Sequence, residues 1–444
     1  MPRFKRLLWL FAWSVWVYLG VGLYRELPRD LGPILRRLPF GDDNQPVGWL
    51  DGGKTIITDS FNGDWFTGGN RRYRLWDVAS GEMIADREGP LIDTPRPPTF
   101  YAPPPPLVGV RQGVVVGRPQ AGAPRALDLR TGLWTNLGTE RSPIEIHPLR
   151  PWVAMRHDGV ERRDSGAVVV DLRTGAVVLE RRMQEDERLN TCHFVGDSDV
   201  LLIDIRSADE WRKRKQTFER WDVGAGTRVS SCTISDAYLH TSRPGGNGFF
   251  IGYRSWSDGR RFDVVDPLTG SVVYGCRSSR DFTSFWTGPE MYASDEHEAS
   301  LSEDGRALLN NGSLVALPSG TKLRSGDDES IWFVSTAKGE AVRIEEQFGL
   351  WLRDLLPATI AFRDPGTSLL LQRVWATHPR LIEDDDGRLV CDPAGNIYEL
   401  PLRVNWSLLA LCQAILALPL VLLWTALRWR RRRATRRQLA EAAP

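Results

Sequence analysis

The sequence predicts an all-β fold, built by repetition of one four-stranded sheet and flanked by an apolar helix at each end. Three observations carry that expectation: a turn recurring five times at constant internal spacing, strand-like runs on both sides of it, and two uncharged terminal segments. With 444 residues and 42% hydrophobic content, the chain can bury the core of one large domain or two ordinary ones. Its net charge of +1 leaves no electrostatic footprint for non-specific nucleic-acid binding, so no nucleic-acid partner is expected.

The first apolar segment, Leu7 to Tyr24, contains Trp9, Trp13 and Trp16 and follows Arg3, Lys5 and Arg6. Its 18 residues reach about 27 Å as a helix, enough for a thin bilayer. A cleaved signal peptide is the competing reading, but the run is long for one and Gly20-Val21-Gly22 is a poor cleavage site. The second segment, Ser407 to Leu427, has Gln413 as its only strongly polar side chain and Pro419 as a kink. Arg428, Arg430, Arg431, Arg432, Arg433, Arg436 and Arg437 follow it. Basic flanks resist translocation, so residues 1–6 and 428–444 are expected in the cytoplasm and everything between the helices on the other side. A membrane lipid bilayer is thus the first expected partner, with a juxtamembrane linker at 25–45.

Between the helices, Leu75-Trp76-Asp77-Val78-Ala79-Ser80-Gly81 recurs as Leu127-Asp128-Leu129-Arg130-Thr131-Gly132 and as Val170-Asp171-Leu172-Arg173-Thr174-Gly175. Further copies are Trp221-Asp222-Val223-Gly224-Ala225-Gly226 and Val265-Asp266-Pro267-Leu268-Thr269-Gly270. The aspartates stand 51, 43, 51 and 44 residues apart, the length of a propeller blade and too long for leucine-rich, ankyrin or TPR units. An Asp that hydrogen-bonds its own backbone, followed by a Gly at positive φ, makes a tight turn. The β-branched runs after Gly175 and Gly270 supply the strand that leaves it. Trp49 to Thr58 and Leu301 to Leu309 each read as strand, turn, strand, the first half of such a blade.

Two more units end at Leu317-Pro318-Ser319-Gly320 and contain Cys391-Asp392-Pro393-Ala394-Gly395. The expectation is therefore a β-propeller of about seven blades over residues 46–402, with six to eight open and an eighth marked if Arg363-Asp364-Pro365-Gly366 is a turn. Phe348, Trp351, Leu352, Leu355 and Leu356, stopped by Pro357, read as an amphipathic helix inserted near 345–356. A closed ring sets its ends side by side, so the terminal helices are expected to pack together, with Gly20 and Gly22 at their contact.

The Trp-Asp copies at 76 and 221, with the Asp-Gly-Gly-Lys turn at 51–54, resemble bacterial WD40-type propeller repeats. The Asp-x-x-Thr-Gly copies at 128, 171 and 266 also resemble pyrroloquinoline-quinone-type repeats, although the Trp of that motif is missing or, as Trp134, displaced. These likenesses imply a propeller; because three of the five copies lack the Trp before Asp and the quinone-type motif is incomplete, no cofactor is expected.

Other features carry weaker signals. His147, His193 and His240 recur at blade intervals, ahead of the opening strands of three blades, and imidazoles converging on a channel could hold a metal. Turn or inter-blade hydrogen bonding is the commoner use of such residues. Glu383-Asp384-Asp385-Asp386-Gly387 lacks calcium-loop spacing and reads as a solvated turn. Arg212-Lys213-Arg214-Lys215, between Trp211 and Phe218, reads as a charged hairpin tip. The Pro-rich stretch from Thr94 to Pro106 reads as a stiff connector. Cys232 and Cys276 each lie six residues after a turn Gly and are expected to be free thiols; Cys192 with Cys232 is left open as a pair.

No Gly-x-Ser-x-Gly, His-Glu-x-x-His, Walker loop or Cys-x-x-Cys occurs. No catalytic, cofactor or metal residue is therefore nominated. The expected function is a non-catalytic, membrane-anchored scaffold of the bacterial envelope that binds a protein or peptide partner. The alternative is a propeller hydrolase or lyase using carboxylates in the central channel.

Overall fold

Middle strands that are apolar along their whole length, such as Val114-Val115-Val116 and Ala167-Val168-Val169-Val170, are buried on both faces. Such strands belong to a sheet that is covered on both faces. In a computed structural model of the protein this cover comes from eight sheets arranged as the blades of a propeller, seven of four strands and one whose four antiparallel strands are extended to six by two short strands from the chain's ends. The structure describes the chain except residues 1, 42–43, 65–67, 90–106, 118–122, 139–140, 158–164, 208–214, 235–237, 239, 257–258, 278–298, 311–312, 325–330, 337–338, 347–358, 376–380, 385, 401 and 442–444.

Helix α1 (Pro2–Glu26) leads to β1 (Arg29–Asp30) and β2 (Arg36–Arg37). Blade 1 is β3 to β6 (Gln45–Leu50, Thr55–Asp64, Gly68–Asp77, Met83–Glu88) and blade 2 is β7 to β10 (Leu107–Gly109, Val114–Val116, Arg125–Asp128, Trp134–Asn136). Blade 3 is β11 to β14 (Arg141–Ile146, Trp152–His157, Gly166–Asp171, Val177–Arg182) and blade 4 is β15 to β18 (Glu187–Phe194, Val200–Ser207, Gln216–Asp222, Thr227–Ile234). Blade 5 is β19 to β22 (His240–Thr241, Phe250–Trp256, Gly259–Val265, Val272–Arg277) and blade 6 is β23 to β26 (Ala299–Leu301, Ala307–Asn310, Ser313–Ala316, Thr321–Arg324). Blade 7 is β27 to β30 (Ile331–Thr336, Gly339–Glu346, Thr359–Arg363, Leu370–Trp375). Blade 8 takes β31 to β33 (Ile382–Glu383, Leu389–Cys391, Asn396–Glu399) and completes itself with β2 as its outermost strand.

The ring is thus closed by a strand from the far end of the sequence, inside the stretch expected to be a linker. First strands of neighbouring blades touch, β7 with β11, β11 with β15 and β31 with β3, so the first strands line the axis. Trp49 of blade 1 donates through Nε1 to the carbonyl of Ile382 in blade 8, 3.0 Å away.

The recurring Asp-to-Gly motif is the turn between third and fourth strands of blades 1 to 5. Gly81, Gly132, Gly175, Gly226 and Gly270 all adopt positive φ, between 67° and 78°. Asp171 Oδ1 accepts from the Arg173 and Thr174 main-chain N–H groups at 2.9 Å, and Gly175 N–H donates back to the Asp171 carbonyl at 2.8 Å. The eighth blade appears where Asp364 makes the same turn, with Thr367 N donating to its Oδ1 and Ser368 at φ 58° in the glycine position. Seven was an undercount for that reason. Cys391 to Gly395 makes a different turn, between the second and third strands of blade 8. The helix expected near 345–356 does not begin there, since β28 runs as a strand through Glu346; residues 347–356 lie outside the described residues.

Both flanking segments are helical, and α2 (Trp406–Glu441) starts two residues after β34 (Arg403–Val404). Among the described residues, only Trp406–Ala434 is long and apolar enough to cross a membrane, whereas a spanning helix was expected at each end. The two helices pack as expected. Trp16 Nε1 donates to the Gln413 carbonyl at 3.2 Å, and Tyr24 lies against Trp406 with ring centroids 6.1 Å apart. Gly20 sits where a Cβ would come within 2.0 Å of Gln413 Nε2, while Gly22 faces open space.

Candidate functional site

One end of the propeller carries the turns between first and second strands and those between third and fourth. On blades 4 to 6 the first-to-second turns pack backbone on backbone. A Cβ on Gly196 would fall 2.7 Å from the Gly246 Cα, and one on Gly245 would fall 2.5 Å from the Gly305 Cα. Gly246 N donates to the Glu303 carbonyl at 2.6 Å, and Asn247 Nδ2 to the Gly305 carbonyl at 2.9 Å. Glycine here lets three blades approach at their turns and form one wall.

That wall borders a cavity of about 780 Å³. Asp197 of blade 4, Glu303 and Asp304 of blade 6, and Glu340 and Asp364 of blade 7 line it, with Arg306 the one basic residue among its lining. Asp304 is fixed by its turn, since Oδ1 accepts from Ser302 Oγ at 2.7 Å and from Arg306 N at 2.9 Å. Arg306 is exposed and stays 3.9 Å from Asp304 Oδ2, so it neutralises little of the cluster. Glu340 Oε2 accepts the Glu303 main-chain N–H across the blade boundary. Burial, with the neighbouring charges of Glu303 and Asp304, pushes its carboxyl up to about 7. Four carboxylates, joined by Glu340 as it ionises, against one guanidinium make the cavity a trap for positive charge.

Beside it, at the same end of the channel, β11 and β15 bring together Glu145 and His193. His193 Nδ1 lies 3.0 Å from Glu145 Oε2, and its Nε2 lies 3.0 Å from Thr191 Oγ1. Glu145 Oε2 also accepts from Phe194 N at 3.2 Å, and Oε1 lies 2.6 Å from Arg243 Nε in the blade 5 turn. The group links blades 3, 4 and 5.

His147 and His193 have separate hydrogen-bond partners. His193 and His240 lie within first strands and His147 directly after one, rather than ahead of them; the His240 side chain lies outside the described residues. His147 is fully buried, and burial pushes its imidazole down while a hydrogen bond to the Ser198 carbonyl opposes this. Its Nδ1 accepts from Leu149 N and Arg150 N at 3.0 and 2.9 Å, which assigns the proton to Nε2, 3.0 Å from Ser198 O. It therefore holds a turn. Among the described residues no three His, Cys, Asp or Glu side chains are placed to hold a metal ion.

Asp384 in the acidic 383–387 run is buried, not solvated, and its Oδ1 accepts from Arg388 N and Leu389 N at 2.7 and 3.0 Å. Residues 212–214 and 94–106 lie outside the described residues, although Phe218 beside the basic run belongs to the core. Cys192 and Cys232 are both free thiols, so they do not pair; Cys232 and Cys276 occupy matching registers opposite Phe218 and Phe262. Sequence reading missed the acidic cavity. Asp197, Glu303 and Asp304 stand in first-to-second turns, Glu340 in β28 and Asp364 in a third-to-fourth turn, so no single repeat position marks them in the sequence.

No family model and no curated protein matches the chain. Solved structures do match. A dihydro-heme d1 dehydrogenase, NirN, in complex with DHE is 13% identical with a TM-score of 0.44, covering 86% of this chain and 82% of that one. A eukaryotic initiation factor is 8% identical with a TM-score of 0.38, covering 78% and 90%. The β-propeller domain of the Trilobed protease from Pyrococcus furiosus is 9% identical with a TM-score of 0.36, covering 79% and 89%. At these scores the resemblance carries no argument about activity, and the eight-bladed assignment rests on the strand order.

Proposed function

We propose that this chain is a membrane-anchored propeller that works by binding, and that it captures a cationic protein or peptide segment in the acidic cavity. The carrying observation is the convergence of Asp197, Glu303, Asp304, Glu340 and Asp364 on one cavity with a single arginine. A Lys or Arg side chain entering there gains charge-assisted hydrogen bonds from groups already positioned by their turns. In this reading α2 spans the bilayer and α1, packed along it through Gly20 and Trp16, accompanies it. Arginines at both outer flanks keep the two termini cytoplasmic and the propeller on the other side. The WD40-like and quinone-type repeat likenesses, and a bacterial envelope setting, belong to this proposal as well.

Fluorescence anisotropy of a labelled oligolysine against the detergent-solubilised full chain tests it. Saturable binding, weakened about tenfold or more in Glu303→Gln/Glu340→Gln, is expected. Equal binding of a neutral peptide, or no effect of the substitutions, would refute it.

A second reading, hydrolysis in the channel, is favoured by one observation: His193 stands between a carboxylate and a hydroxyl, each 3.0 Å away. Turnover of ester or glycoside substrates, abolished by Glu145→Gln, would establish it.

A further inference from the structure

Glu145 grips two turns at once, and both belong to the wall of the acidic cavity. It stands near the end of β11 in blade 3, and its side chain is 11% exposed. Its Oε2 accepts from Phe194 N at 3.2 Å, just ahead of the blade 4 turn that carries Gly196 and Asp197. Its Oε1 lies 2.6 Å from Nε of Arg243, which stands at the start of the corresponding turn of blade 5. One carboxylate of blade 3 thus reaches past its neighbour to a second blade along the ring. Neither Glu145 nor Arg243 lines the cavity itself.

The residues that follow Arg243 are the contact surface of the wall. Gly245 abuts Gly305 of blade 6, and Gly246 abuts Gly196 of blade 4, each too closely for a side chain. Gly245 N donates to the Phe249 carbonyl and Gly248 N to the Gly245 carbonyl, both at 2.8 Å, so a shift at Arg243 carries the whole turn with it. Gly246 N donates onward to the Glu303 carbonyl at 2.6 Å, while Glu303 N donates to Glu340 Oε2 of blade 7. The Glu303 main chain is therefore held from two sides, and one of those holds depends on where the blade 5 turn sits.

We infer that Glu145 and Arg243 are positioning residues for the cavity: their ion pair sets the blade 5 turn where Gly246 meets Glu303, and so sets the spacing of Asp197, Glu303 and Glu340. The inference rests on the cation-capture reading above. A Lys or Arg side chain gains from several carboxylates at once only while they are held at a separation it can bridge. Charge acting through space gives the opposite sign, because loss of a cation beside an acidic site favours a cationic partner. Arg243 therefore separates the two effects.

The test titrates labelled oligolysine, followed by fluorescence anisotropy, into the detergent-solubilised full chain carrying Arg243→Ala, Arg243→Lys or, within the cavity, Arg306→Ala. Arg306→Ala should tighten capture, whereas Arg243→Ala should weaken it about fivefold and Arg243→Lys should restore most of that loss. Hydrogen exchange without peptide is followed on the same proteins. Arg243→Ala should speed exchange in segments 242–249 and 302–306 and leave β4 and β5 of blade 1 unchanged. Capture by Arg243→Ala as tight as the parent's, or tighter, overturns the inference and leaves the capture reading standing. Exchange unchanged in the two segments, or faster throughout the ring, also overturns it. No capture by the parent chain refutes the capture reading, and the exchange result then decides the positioning by itself.

Discussion

Glu340 on blade 7 accepts the main-chain N–H of Glu303 on blade 6, so the most strongly shifted carboxyl of the cavity also ties two blades together. Burial first, then the charges of Glu303 and Asp304, lift that carboxyl from 4.5 to about 7. Capture of oligolysine should strengthen as pH rises from 6 to 8 and Glu340 ionises. In Glu340→Gln the same titration should be flat across that window. Anisotropy at fixed ionic strength measures both, since salt screens such contacts.

The same shift has a stability consequence of defined sign. A carboxyl with a raised folded-state value holds its proton more tightly when folded, so its contribution favours the fold below about 7 and is lost as pH rises through that point. Glu340→Gln should therefore raise Tm at pH 8 and leave it nearly unchanged at pH 5. Thermal denaturation followed at both pH values decides it.

Glu219 is the opposite case. Burial alone would raise its carboxyl, but hydrogen bonds from Arg181 and Trp221 and the Arg181 charge hold it below the usual range. Arg181 Nε lies 2.9 Å from Oε2, and Arg228 Nη1 3.1 Å from Oε1. Its stabilisation is present above pH 4.5 and fades as pH falls below that value. Glu219→Ala leaves Arg181, only 12% exposed, without its main partner, and should cost roughly 3 kcal/mol in urea denaturation at pH 7.

Gly175 stands at φ 73°, and a Cβ there would lie 2.7 Å from the Asn136 carbonyl of blade 2. Gly175→Ala should destabilise the chain by roughly 1–3 kcal/mol. Asp171→Ala, which removes only the side-chain hydrogen bonds of the same turn, should cost about 1 kcal/mol. Equal costs would show that the turn is held by hydrogen bonds alone.

These turns explain what was legible beforehand. Asp171 and Gly175 lie four residues apart and satisfy each other, so their geometry is written in a short window and repeats with the blade. The eighth blade was harder to read because Ser368 takes the glycine position, and ring closure because β2 pairs with a strand from the other end of the chain. The acidic cavity was illegible for a different reason. Asp197, Glu303 and Glu340 come from three blades: the turns of blades 4 to 6 meet where Gly196 abuts Gly246 and Gly245 abuts Gly305, and Glu340 joins through the Glu303 main chain. His193 and Glu145 likewise face each other from neighbouring first strands, a pairing that no local motif records.

Helix pairing is open to a direct test. Paired cysteines at Gly20→Cys and Gln413→Cys should cross-link in membranes, and Gly20→Leu should separate the helices. Failure of every pair across a scan of α1 against α2 would remove that contact.

The claim that a cationic segment enters the blade 4 to 7 cavity is tested most directly by hydrogen exchange of the full chain with and without oligolysine. Slowed exchange is expected in the turns at 196–197, 245–247 and 303–306 and in β28 around Glu340. Protection confined to turns at the opposite end of the ring, or none at saturating peptide, would contradict it.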